Sequence, residues 1–380
     1  MRIAQARWKK ELGWEGQGLP RGFEAAQLAF VFGGSQTMGN RELLHEVRQA
    51  FPGAHVVGCS TAGEIHGIQV TDDSLSVTAV VLERSRVQAH VVDLPDSESS
   101  AAVGSELARA IDPAGLVHVF VLSEGLNVNG SELVAGMTQH LPRTVAITGG
   151  LSGDGDRFKE TLVLAQDESR RNRVAALAFY GEQLEVGYAS LGGWDAFGPE
   201  RVITRSRGNV LYELDGRSAL ELYKQYLGEH ANGLPATGLL FPLAVRASTD
   251  REPVVRTILA VDEREQSMTF AGDLPQGSYA RLMKANIDRL VEGASGAART
   301  AQIELRSSAP ELAILISCVG RKMVLKQRVE EEVEAVREVL GAGTALAGFY
   351  SYGEISPFTP HARCELHNQT MTITTFSEAA

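Results

Sequence analysis

Cysteine is nearly missing from this sequence. The 380 residues hold three, Cys59, Cys318 and Cys364, far apart and in no CxxC or CxxCH arrangement. That excludes a disulfide framework, a cysteine-rich zinc knuckle and a covalently attached c-type haem. The histidines (His45, His55, His66, His90, His118, His140, His230, His361 and His367) form no HxH or HxxxH pair, so a dedicated zinc site is not expected. Cations are also short: 36 Lys+Arg stand against 47 Asp+Glu, for a net charge of −11. Nucleic-acid recognition and polybasic membrane contact both need clustered Lys and Arg, so neither partner is expected. The longest apolar runs, such as 28–32 and 312–316, are strand-sized and well short of the ~20 residues of a spanning helix. The opening MRIAQARWKKELGWEG carries positive charge with no apolar segment behind it, unlike a secretory signal. A cytoplasmic protein of a reducing compartment is the expectation.

What the sequence does contain is a repeat. Residues 28–32 (LAFVF) read as a buried strand, 40–51 (NRELLHEVRQAF) as a helix, and 55–58 leads into CSTAGEI at 59–65. A loop then delivers TDDSLSVTAVVL at 71–82, whose β-branched alternation reads as a strand. The order returns near the end: strand 312–316, helix 328–340, FYSYGEI at 349–355, then HNQTMTITTF at 367–376. A looser third copy lies between, with strands at 117–122 and 144–148 around a helix at 131–141, GGLSGDGDRF at 149–158 and a closing strand at 174–180. Each copy carries a Gly-rich turn after its second strand, where loops gather and ligands bind in α/β layers.

The middle, 185–300, has another texture. Asp215 is a plausible cap for a helix at 217–227, 256–261 and 267–270 read as a hairpin, 279–290 looks helical, and 292–310 reads as a flexible loop. The expected fold is α/β: layered sheets with outer helices built from repeated strand–helix–strand units, in two tightly packed domains, 1–200 and 201–380, with a boundary near 192–210.

Several residues could carry chemistry. Glu64, Asp154 and Glu354 follow the second strand of their copies; they either ring one cleft that favours a cationic group, or hold turn amides. GGLSGDG at 149–155 suits close backbone approach to a ligand or tight turns, but lacks the Gly-Lys-Ser/Thr of a phosphate loop. Cys59 and Cys318 end apolar strands, either as nucleophiles or as packed residues. A single histidine in an apolar pocket could hold non-covalent haem, and His66 and His367 sit in repeat-associated loops.

At VVGCSTAGEI, LSEGLNVNGSELV, GGLSGDGDRF, LYELDGRSALELYKQYLG, FPLAV, ISCVGRK, GFYSYGEI and CELHNQTMTIT the sequence resembles the paired N- and C-terminal FIST domains, over nearly its whole length. The resemblance implies a cytoplasmic sensory module without catalysis, which binds a small ligand and acts on a separate partner, a histidine kinase or other signalling protein. Amino acids are the ligands suggested for the family, and a related branch comprises nitric-oxide-sensing haemoproteins. The motifs carry over Cys59, Ser60 and Glu64 from the first signature, and Gly149, Gly150 and Asp154 from the second. Cys318, Arg321, Tyr352, Glu354, His367 and Asn368 come from the last. Three other readings stand beside this one: a haem-based gas sensor using His66 or His367, a thiol-dependent hydrolase using Cys59 or Cys318, and a pure protein-interaction scaffold.

Overall fold

The computed structural model describes residues 1–94, 99–165, 167–248, 253–305, 309–358 and 362–379. His361 and part of the expected 292–310 loop therefore lie outside the described residues.

All three copies of the repeat fold alike. In each, two parallel strands are joined through helix: Leu28–Gly33 with His55–Ser60, Leu116–Ser123 with Ala146–Leu151, and Leu312–Cys318 with Ala345–Ser351. An antiparallel strand flanks each pair: Leu75–Val81, Arg173–Tyr180 and Met371–Glu378 respectively. One position marks the repeat in all copies. A Cβ added at Gly58, Gly149 or Gly348 would stand within 2 Å of the carbonyl oxygen of Val31, Val121 or Leu315 on the neighbouring strand. Only glycine fits so close an approach.

Between its second and last strands each unit sends out a hairpin that pairs with another unit's sheet. The first unit's Glu64–His66 joins the third unit's Ala345–Ser351. The third unit's Gly353–Pro357 joins the second unit's Ala146–Leu151, and the second unit's Val163–Ala165 joins the first unit's His55–Ser60. The exchange closes a ring. Strands of the amino- and carboxyl-terminal halves are thus interleaved within single sheets.

The inner faces of the three sheets meet in one aromatic core. Phe30 and Phe120 pack edge-on at 5.5 Å, Phe32 and Phe349 at 4.8 Å, and Phe179 and Phe376 at 5.1 Å between ring centroids. Helices cover the outer faces: Arg41–Ala50 on the first sheet, Ser100–Ala110 and Gly130–Thr138 on the second, Ile287–Ile303 and Val329–Leu340 on the third. Layered sheets with outer helices, built from repeated units, are what the alternation implied.

The segment between strand Leu184–Leu191 and helix Ile287–Ile303 forms a separate eight-stranded sheet with its own core around Tyr223, Met268 and Phe270. Here some expectations fail. The 279–290 stretch begins as strand Tyr279–Lys284, because Ala280 and Leu282 alternate into that core, and is helical only from Ile287 onward. The cap of helix Ala219–Leu227 is Ser218, whose hydroxyl accepts from Glu221 N, while Asp215 accepts from Val202 N and pairs with Arg201. The supposed loop at 292–310 is mostly helix, Ile287–Ile303, capped by Asn286. Its small residues reflect close packing: a Cβ on Gly293 would lie 2.6 Å from the Gly192 carbonyl oxygen. The expected hairpin is present, as Ile258–Asp262 paired with Ser267–Phe270.

Candidate functional site

The signature acids are fully buried, and two of them are held identically. Glu64 accepts from Thr61 Oγ1 at 2.5 Å, from Ser74 N at 2.9 Å and from Ser74 Oγ at 2.7 Å. Glu354 accepts from Ser351 Oγ at 2.6 Å, from Thr370 N at 3.1 Å and from Thr370 Oγ1 at 3.0 Å. Burial outweighs these bonds and pushes the Glu64 carboxyl up to about 7 and that of Glu354 to about 8. Asp154 plays a different part. It accepts from the backbone N–H groups of Phe158, Lys159 and Glu160, each at 2.9 Å, and from the Tyr352 hydroxyl. The Tyr352 ring stacks on Phe158 at 4.4 Å, so this pair fixes the loop that follows the second unit's second strand.

The three acids do not ring one cleft. Glu64 alone of them borders a cavity of about 370 Å³ where all three units meet. The first unit contributes Asp72 and Asp73, the second Asp156 and Arg157, and the third Lys322 and Lys326. Lys322 Nζ donates to the Ala62 carbonyl at 2.8 Å and pairs with Asp72. Arg157 donates to Ser35 Oγ at 3.1 Å. The cleft therefore presents cations and carboxylates a few ångströms apart, at the carboxyl ends of the parallel strands. The corresponding turn of the third unit is covered. Trp194 Nε1 donates to the Gln369 carbonyl at 2.8 Å, and Thr257 N points to Asn368 Oδ1 at 3.5 Å, both from beyond strand Leu184–Leu191.

The other sequence candidates are built into the frame. Ser60 Oγ accepts from Leu162 N at 2.8 Å, tying the exchanged hairpin to the first sheet. Gly149 and Gly150 lie inside strand Ala146–Leu151, where close packing and not ligand approach demands glycine. Arg321 is fully buried and paired with Glu332 at 2.6 Å, and it donates to the carbonyls of Leu290, at 2.8 Å, and Gly192. Glu332 in turn accepts from Ser317 Oγ and Tyr350 Oη.

Cys59 and Cys318 are buried, and burial together with the neighbouring Glu64 and Glu354 raises both thiols well above their ordinary range. A thiol held protonated is a poor nucleophile, so the geometry offers nothing to thiol-dependent hydrolysis. Haem finds no support either. His66 Nδ1 lies 3.0 Å from Ser76 Oγ, and buried His367 places Nε2 2.8 Å from the Ser356 carbonyl, against the Phe358 ring. Burial lowers both to about 4, and neither lines the three-unit cleft. Among the described residues no group of three His, Cys, Asp or Glu is placed to hold a metal ion, and no helix is long and apolar enough to cross a membrane.

Comparison with known proteins gives the family. The FIST N domain model matches residues 27–217 and the FIST C domain model residues 219–357. The chain belongs to the FIST family. FIST domains are sensory, ligand-binding domains. An uncharacterized protein of Mycobacterium bovis is 23% identical over 368 residues, covering 93% of this chain and 91% of the relative. One of Methanocaldococcus jannaschii is 22% identical over 326 residues, covering 77% of this chain and 60% of the relative. Among solved structures, a chorismatase aligns over 99% of this chain and 98% of its own at 11% identity and TM-score 0.36. A cyanuric acid hydrolase aligns over 99% of both chains at 8% identity and TM-score 0.35. The expectation of a module without catalysis is corrected by these neighbours, which are enzymes, although likeness at that level assigns no reaction to this FIST chain.

The cleft residues Asp72, Asp73, Arg157, Lys322 and Lys326 were missed from sequence. The signal was the turn and not the glycines: Asp73, Asn172 and Gln369 all adopt positive φ just before the last strand of their units. Aligning the copies on that turn brings TDDS into register with HNQT.

Proposed function

We propose that this FIST protein senses a small zwitterionic molecule of the amino-acid class, bound in the three-unit cleft, and passes the signal to a separate partner such as a histidine kinase. One observation carries the reading: a cavity of about 370 Å³ lined by the carboxylates of Asp72, Asp73 and Asp156 together with the cations Arg157, Lys322 and Lys326. A ligand ammonium suits the aspartates and a ligand carboxylate the cations, and charge-assisted bonds of both signs reward a molecule carrying both. Because the walls come from three units, a bound ligand bridges all of them, and the two family halves respond as one body. Three buried free thiols fit a reducing, cytoplasmic setting.

Calorimetric titration with a panel of amino acids tests the reading. At least one is expected to bind, and Asp73→Asn and Lys326→Gln each to weaken it at least about tenfold, the loss of one charged hydrogen bond. If no zwitterion binds, or if both variants bind as the unaltered chain does, the reading fails.

A further inference from the structure

A second cavity, of about 260 Å³, lies at the seam between the inserted sheet and the repeat core. Helix Gly130–Thr138 forms one wall through Val134 and Ala135, and Val245 and Val254 of the inserted sheet form the other. At its edge sits Arg256, 4% exposed. Its guanidinium bonds only to backbone carbonyls among the described residues: Asp273 at 3.3 Å, Val255 at 3.3 Å and Leu366 at 2.9 Å. The carboxylates of Asp273 and Glu365 line the same cavity but are partly exposed, and neither forms an ion pair with Arg256. Asp273 and Glu365 offset the buried charge only from a distance, so a desolvated carboxylate placed directly on the guanidinium adds a charge-assisted hydrogen bond that neither of them makes. Ser131 Oγ, on the helix wall, is buried with no hydrogen-bond partner and offers a second donor.

We propose that this seam is a binding site for a small monocarboxylate with an apolar body. Its carboxylate lies on Arg256, and its hydrocarbon fills the space between the helix and the inserted sheet. The volume falls below the ~300 Å³ at which ordinary ligand pockets begin, which limits the guest to an acid about the size of benzoate or butyrate. The site is independent of the three-unit cleft, and its occupant touches both the inserted sheet and the core, pinning one to the other.

Titration of the full chain with benzoate, butyrate and benzamide, followed by calorimetry and thermal melting, tests this. The acids are expected to bind and raise Tm, and neutral benzamide to bind at least about tenfold more weakly. Ala135→Phe and Val254→Phe fill the cavity from opposite walls; either one that keeps the unliganded melting profile is expected to abolish acid binding. Asp73→Asn, in the other cleft, is expected to leave it unchanged. If both filling variants unfold, 4-iodobenzoate soaked into crystals locates the site by its iodine, which is expected between Ala135 and Val254. Absence of acid binding, equal binding of the amide, binding that survives a folded filling variant, loss in Asp73→Asn, or iodine elsewhere each overturns the proposal.

Discussion

Glu64 and Glu354 occupy the same point of two repeats and accept the same three hydrogen bonds, yet Glu64 borders an open cleft while the turn that holds Glu354 lies under the inserted sheet. The chain keeps one architecture and uses it unequally.

Both carboxyls are raised above their unfolded value, so between that value and about 8 the folded state binds more protons than the unfolded one. Their contribution to stability is therefore present at low pH and lost as pH rises through about 7 and 8. Thermal melting is expected to show Glu354→Gln, which mimics the protonated acid, with a shallower fall in Tm between pH 6 and 9 than the unaltered chain. An identical pH slope in the two proteins would contradict this.

Arg321 and Glu332 form a buried pair that also holds the carbonyls at Gly192 and Leu290. Removing one partner leaves the other charge uncompensated, so Arg321→Met is expected to cost about 3–5 kcal/mol in denaturant unfolding. Arg321→Met combined with Glu332→Met is expected to recover most of that loss.

The thiols are closed to solvent and held protonated. Ellman's reagent at pH 7.5 is expected to label none of the three in the native protein and all of them in guanidinium chloride. Rapid native labelling at Cys59 or Cys318 would reopen the nucleophile reading.

Gly348 faces the Leu315 carbonyl oxygen, 1.9 Å from where a Cβ would stand, whereas Gly343 meets nothing within 4 Å. Gly348→Ala is expected to lower stability by at least about 1–3 kcal/mol, through overpacking and a broken strand register, and Gly343→Ala to change it little. Comparison of their melting temperatures checks this.

The repeat was legible because burial on both faces leaves apolar runs such as LAFVF and LAILIS, and because turns keep their glycines. The exchange of hairpins was not, since strands as short as Glu64–His66 carry no periodicity that names a partner. The signature acids were found, but their role was decided by burial: Thr61, Ser74, Ser351 and Thr370 satisfy them internally. The cleft drew its charges from Asp73 and Lys326, ordinary surface types whose meeting across units depends on the long-range pairing. In the middle segment, small residues in Ile287–Ile303 looked like a loop because what they fit is a neighbouring backbone, which no local pattern records.

The ring of exchanged hairpins has a consequence for how such a chain can change. A single unit released from the other two would bare the edge of its sheet where a borrowed hairpin had been, and would offer its own hairpin with nowhere to go. Its simplest remedy is two further copies, so the molecule is in effect a trimer tied into one polypeptide. Tying the copies together frees each from having to resemble the others. That is how one seam can stay open to solvent while another accommodates an entire additional sheet.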